Sequence, residues 1–177
     1  MNPTARPCGD SGGRFDSLDG SYGYLYVGSD PDAAIAEAIC RDLPFDGHPR
    51  IVPHRALVGL ALTRIEVTTG MLVVSLHGAD LAQVGQDLWL TKSDPDDYPV
   101  TRAWAAAILG WAPRAAGLVY RCRHDEDRIA WCLTCPPDVV AHPRLRVLAR
   151  PLPLGSPLGL VAVRGVLARH NAALSRD

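Results

Sequence analysis

One stretch of the chain reads Gly12-Gly13-Arg14-Phe15-Asp16, then Tyr24-Leu25-Tyr26-Val27-Gly28, then Ser29-Asp30-Pro31-Asp32-Ala33-Ala34-Ile35-Ala36-Glu37-Ala38. That order sets a cation on a turn, an aromatic on a strand and a carboxylate on a helix. A guanidinium forks onto phosphate oxygens, and glycines before it let the backbone come close to the same anion. A carboxylate stabilises a sugar that turns positive as its base departs. Tyr26 precedes Asp30 by roughly 13 Å of extended chain and Glu37 follows it by roughly 10 Å of helix, so the two side chains reach similar depth if the chain turns back at Asp30. Each residue alone has a plainer reading. Gly-Gly-Arg is an ordinary surface turn, Tyr26 a half-buried strand tyrosine with its hydroxyl satisfied, and Glu37 a solvated partner of Arg41 four residues on. Periodicity alone favours the Glu37 to Arg41 pair.

The elements that must hold these groups are legible in outline. Tyr24 to Val27 alternates as a short strand, with Leu25 and Val27 on the core face. Asp30 is a good N-cap and Pro31 suits the first helical position, starting a helix to about Asp42 with the apolar stripe Ile35, Ala36, Ile39 and Leu43. Residues 44–55 hold three prolines and a glycine and read as an ordered loop or lid. Leu57 to Val67 and Met71 to Leu76 read as two strands with a short connection at Thr68-Thr69-Gly70, and Ala79 to Val84 as a short helix. Thr101 to Leu109 has helical composition, with Thr101 as N-cap and Gly110 as its stop. Gly117 to Arg123 and Arg128 to Thr134 read as paired strands around the polar loop His124 to Asp127. A Pro-rich connector then runs through Pro157 to a packed terminal helix, Leu158 to about Leu174. The expectation is a single α+β domain with a mixed sheet, divided as a flexible N-terminal segment 1–11, a domain 12–150, and a connector with its helix over 151–177.

With 177 residues and a formal net charge of -1, the chain can bury a core without staples and lacks the basic field that non-specific nucleic-acid binding needs. Lys92 is its only lysine. Met1 to Gly13 has no apolar run of the secretory kind, and no stretch approaches about 20 apolar residues, so no membrane span is expected and the cytoplasm is the expected compartment. Five cysteines without a repeated spacing fit reduced thiols. Cys132-Leu-Thr-Cys135 has CxxC spacing, but no second pair or histidine pair follows it, and no metal is expected. GxGxxG, P-loop and nucleophile-elbow patterns are lacking, which leaves dinucleotide-fold and kinase readings unsupported.

Together with Gly117-Leu-Val-Tyr-Arg-Cys-Arg-His124, the opening pattern resembles the RES domain, named for its Arg, Glu and Ser positions. The likeness spans about Gly12 to Leu133. It implies an ADP-ribosyltransferase-like RES fold and an enzyme that consumes NAD or transfers ADP-ribose, with NAD as substrate, inorganic phosphate as co-substrate or else water or a protein side chain as acceptor, and no bound cofactor. It assigns the catalytic positions to Glu37, Arg14 and Tyr26, and substrate binding to Arg14, Tyr26 and Cys122. Tyr98-Pro-Val-Thr-Arg-Ala-Trp104 resembles a segment of one branch of the family, which adds Tyr98, Thr101 and Arg102 as further candidates. The resemblance also implies a toxin role and an Xre-type antitoxin protein whose terminal segment covers the active site. A homo-oligomer stays open.

Two departures bear on activity. Cys122 stands where the family carries serine, and a thiol is a much weaker hydrogen-bond donor and acceptor. Only Arg6 precedes the Gly-Gly-Arg turn, where family members carry an arginine on a first strand. The alternative reading is therefore a catalytically degenerate RES domain acting as a binding or regulatory module. A further idea makes Cys122 a thiolate with His124 as its base, two residues along one strand face. It ranks below a buried structural cysteine.

Overall fold

The computed structural model describes residues 12–41 and 43–175, so the segment 1–11 with Arg6, and Asp42 at the expected end of the first helix, lie outside the described residues. In chain order the elements are β1 (Gly23–Gly28), α1 (Pro31–Ile35), a wide π turn (Ala36–Cys40), β2 (Arg50–Val52), β3 (Ala61–Leu62), β4 (Ile65–Val67) and β5 (Val74–Ser75). There follow α2 (Ala79–Gln83), α3 (Trp89–Lys92), α4 (Tyr98–Trp111), β6 (Gly117–Cys122), β7 (Asp125–Cys135), β8 (Leu145–Val147), β9 (Leu152–Pro153), α5 (Pro157–Arg169) and β10 (Ala172–Leu174).

The main sheet runs β1-β7-β6-β5. The long β7 pairs antiparallel with β1 and β6, and β5 joins β6 in parallel, so the fold is α+β with a mixed sheet. The turn between β6 and β7 is Arg123-His124 rather than the whole loop His124 to Asp127, because Asp125 to Asp127 already belong to β7, and the register slips at Arg121/Cys122. Close approach selects the residues at two points. A Cβ on Gly28 would lie 2.4 Å from the Ala34 backbone nitrogen, where α1 folds back on β1. Gly117 opens β6 at φ +142, and a Cβ there would lie 2.2 Å from the Cys132 carbonyl oxygen.

Two apolar cores lie on either side of α1. One gathers Phe15, Leu76, Leu90, Ile108, Leu118 and Tyr120. The other gathers Ile35, Ala36, Val52, Leu57, Val163 and Leu167, with Ile39 and Leu43 packed against it, so the stripe read from the sequence faces α5 and the strands around it. No helix among the described residues is long and apolar enough to cross a membrane.

Several expectations are corrected. Residues 44–55 are not all loop, because β2 pairs in parallel with β10, and the chain after α5 is that strand rather than more helix. The runs Leu57–Val67 and Met71–Leu76, expected as two strands, hold three short ones: β3 pairs with β9, β4 with β8 and β5 with β6. The partners of β3 and β4 come from the Pro-rich connector, whose proline content masks strand character, whereas β5 joins the expected strand β6. Helix α4 begins at Tyr98 rather than Thr101 and runs through Gly110, since Asp97-Tyr98-Pro99 starts it and a glycine in the last turn costs too little to end it.

Candidate active site

The turn before β1 is held by one internal hydrogen bond and by four other residues, Tyr22, Tyr26, Thr101 and Arg102. Gly13 N–H donates to Asp16 Oδ2 at 2.6 Å. Tyr26, on β1, accepts the Phe15 N–H at 2.8 Å and donates its own proton to Asp16 Oδ1 at 2.8 Å. Tyr22 donates to the Phe15 carbonyl at 3.1 Å. From α4, Thr101 Oγ1 donates to the Arg14 carbonyl at 2.7 Å and Arg102 Nε donates to the Gly13 carbonyl at 3.0 Å. A turn held this way presents one side chain, Arg14, in a fixed place.

Arg14 is 1% exposed, and among the described residues its Nε and Nη2 have no hydrogen-bond partner. Its guanidinium lies 5.8 Å from the Phe15 ring centroid and 5.7 Å from that of Tyr98. The Tyr98 ring also has the Arg41 guanidinium at 5.6 Å and the Arg102 guanidinium at 5.9 Å, so three cations converge on one phenol. Buried donors on a cation are costly to leave unpaired, and the stabilising contribution of aromatic faces offsets only part of that cost.

Glu37 comes from the π turn that continues α1. Its Oε1 accepts the Arg123 backbone N–H at 2.7 Å, and its Oε2 accepts from the Tyr120 hydroxyl at 3.4 Å. The hairpin turn between β6 and β7 clasps the end of that helical turn as well, since Arg123 Nη1 and His124 Nε2 both meet the Arg41 carbonyl at 3.0 Å. The carboxylate is thus held by the sheet, and the surface pair with Arg41 expected from spacing is not the contact that fixes it. Tyr120 links the two halves: its ring meets Phe15 edge-on at 5.2 Å, and its hydroxyl feels both the Glu37 carboxylate and the Arg14 guanidinium.

Of the residues singled out in the sequence, Arg14, Tyr98, Thr101 and Arg102 meet at the turn, and Glu37 reaches the same Tyr120 from the other side. The geometry bears on the expected roles in three places. Tyr26 has its hydroxyl committed to the turn, and burial first, with the neighbouring Asp16 carboxylate, pushes its pKa well up, so it keeps its proton. Thr101 is inside α4, not its N-cap, and it and Arg102 bind backbone carbonyls of the turn. Cys122 is fully buried, and burial followed by the nearby Glu37 charge pushes its thiol up to about 12. A thiolate nucleophile is thereby excluded near neutrality, and the His124 ring faces the Arg41 carbonyl instead.

The CxxC pair also separates. Cys132 Sγ points to the Phe15 carbonyl at 3.7 Å and Cys135 Sγ to the Pro136 carbonyl at 3.3 Å, because residues three apart on a strand face opposite ways. Sequence reasoning missed Asp16, Tyr120 and Arg123. Tyr120 carried a signal, sitting two residues before Cys122 on the same strand face; the Arg123 contact is a backbone amide and left no trace in residue type. A cavity of about 390 Å³ lies to one side, against Leu76, His77, Thr91, Arg121 and Glu126, and includes none of Arg14, Tyr26 or Glu37. Arg121 points there because it alternates with Tyr120 along β6.

A family model described as the RES domain matches residues 2–155. No curated protein and no solved structure matches the chain.

Proposed function

The chain belongs to the RES domain family, and on that premise we propose that it degrades NAD by attack on the nicotinamide-ribose bond. The observation that carries this reading is the Arg14 guanidinium, buried with Nε and Nη2 unpartnered among the described residues, while the Tyr120 hydroxyl, which feels its charge, reaches the Glu37 carboxylate. A buried cation with two such donors is a poor structural element and a ready anion grip.

In the proposed reaction Arg14 forks onto the diphosphate. The bond between the nicotinamide nitrogen and the ribose anomeric carbon breaks, its electron pair returns to the pyridine ring, and the ring leaves neutral. Glu37 stabilises the oxocarbenium ion left behind. An oxygen of inorganic phosphate then bonds to the anomeric carbon, giving ADP-ribose carrying a 1-phosphate. Water or a protein side chain are the alternative acceptors. Tyr26 acts by fixing the turn that carries Arg14 and by offering its ring face. Tyr98 covers the guanidinium, and Thr101 and Arg102 tie the turn to α4. Because Arg14 is closed off, the aromatic side chains over it must part for the diphosphate to reach it.

The family background further supports a toxin that halts growth by depleting NAD in the cytoplasm, with an Xre-type antitoxin as partner. The test is to incubate the purified chain with NAD and phosphate and follow nicotinamide release and the phosphorylated ADP-ribose by mass. Turnover that requires Glu37 supports the reading. One observation favours a second reading: the hallmark serine is replaced by Cys122, whose buried thiol makes no hydrogen bond among the described residues. NAD binding without any turnover would identify a degenerate domain acting as a binding or regulatory module.

A further inference from the structure

We propose that Tyr120 is the positioning residue for Glu37, its hydroxyl acting with the Arg123 backbone amide to aim the carboxylate at the reacting sugar. The inference deepens the NAD reading and rests on it for the identity of that sugar.

A carboxylate held by one donor at one oxygen still rotates about its last bond. The Arg123 amide fixes Oε1 at 2.7 Å, and the Tyr120 hydroxyl reaches Oε2 at 3.4 Å, so the two donors together define the plane. Tyr120 is itself immobile. It is 1% exposed, belongs to the apolar core and has its ring edge-on to Phe15 at 5.2 Å. Its hydroxyl stays a donor, because burial first and the Glu37 charge second raise its pKa well above the ordinary phenol value, against the opposing pull of Arg14. Cys122, two residues along β6 and also buried, supplies no hydrogen bond to Glu37 among the described residues and is the weaker donor by chemistry. The sheet's side-chain contribution to aiming Glu37 therefore comes from Tyr120.

The chain has only three glutamates, Glu37, Glu66 and Glu126, so selective carboxyl-13C labelling of glutamate gives three resonances, and Glu37→Gln identifies one of them. In the full chain Tyr120→Phe keeps the ring and its contact with Phe15 and removes only the hydroxyl. At constant pH the Glu37 resonance should move while those of Glu66 and Glu126 stay. Nicotinamide release should show kcat lower by about ten-fold with KM within about two-fold, the signature of an interaction used in the transition state. In the Glu37→Gln background Tyr120→Phe should bring no further loss. A Glu37 resonance that does not move in folded Tyr120→Phe overturns the proposal, as does a rise in KM with unchanged kcat. If Tyr120→Phe does not fold, Tyr120→Met is measured against the same three resonances with the same two outcomes. A wild-type chain without turnover whose Glu37 resonance still moves would sink the NAD reading and support the positioning role.

Discussion

Glu37 Oε1 accepts the backbone N–H of Arg123 at 2.7 Å, which ties the helical turn after β1 to the hairpin turn between β6 and β7. Glutamine keeps an acceptor oxygen for the Arg123 amide and loses the charge, with an amide NH2 in place of Oε2. Glu37→Gln is therefore expected to fold as the wild type does, with a melting temperature within a few degrees, while nicotinamide release falls by roughly 10²-fold or more. Activity assays beside thermal melts check it, and a Glu37→Gln protein that keeps full turnover would remove the carboxylate from the chemistry.

Arg14 separates stability from function in the opposite sense. Among the described residues its buried Nε and Nη2 lack partners, so replacing the guanidinium by an apolar side chain of similar length relieves a desolvation cost. Arg14→Met is expected to be more stable by about 1 kcal/mol in urea unfolding and to lose NAD binding by calorimetry. A strongly destabilised Arg14→Met would make the residue structural.

Tyr26 should behave the other way. Its hydroxyl both accepts from Phe15 N–H and donates to Asp16, and Tyr26→Phe leaves a buried amide and a carboxylate short of one partner each. The expected loss is about 1–2 kcal/mol in urea unfolding, with a raised KM for NAD because the Arg14 turn is less well fixed. An unchanged unfolding midpoint would contradict the contact.

The thiols set an alkaline limit. Burial raises Cys40 from an ordinary 9.0 to about 11 and Cys122 to about 12, and raises Cys132 further still. The unfolded chain ionises its thiols near 9 while the native chain keeps them protonated. The stability they contribute is thus complete below the unfolded value and is lost as pH rises from about 9 toward the folded values. Urea midpoints should fall between pH 8 and 10.5, less steeply for Cys122→Ala. At pH 7.5 iodoacetamide should leave Cys122 and Cys132 unlabelled until urea is added, and native labelling of Cys122 would refute its burial.

At acid pH Asp30 acts with the other sign. Burial opposes its ionisation, but the Ala33 amide, the Arg128 guanidinium and the Ser29 hydroxyl outweigh that and lower its pKa below 3.8. Its contribution is present above about 3.8 and is lost as pH falls through the folded value. Asp30→Ala should cost about 1 kcal/mol at neutral pH, read from thermal melts, and should weaken the acid sensitivity of the wild type.

The start of α1 was legible because every device there is local: an Asx cap, a proline at the first helical position and a strand whose alternation ends at Gly28. The β6–β7 hairpin was legible for the same reason, two β-rich runs joined by a polar turn. Strand partners were not. The short strands β3, β4 and β2 pair with β9, β8 and β10, each far along the chain, and nothing in the residue types of a two- or three-residue strand encodes which distant edge it meets.

By itself the sequence determined which groups were available to the site, an arginine after two glycines, a strand tyrosine and a helix glutamate, and the short-range order of turn, strand and helix that carries them. The tertiary structure alone decided what each group touches. It turned Tyr26 and Asp16 inward to build the turn, buried Arg14 with two nitrogens unpaired among the described residues, and brought the Tyr120 hydroxyl and the Arg123 amide to Glu37. The physical reason is that spacing along one helix or strand fixes only which residues share a face. The donors that meet a carboxylate across more than eighty residues depend on how the sheet and the helices pack, and one of those donors is a backbone amide that every residue except proline possesses.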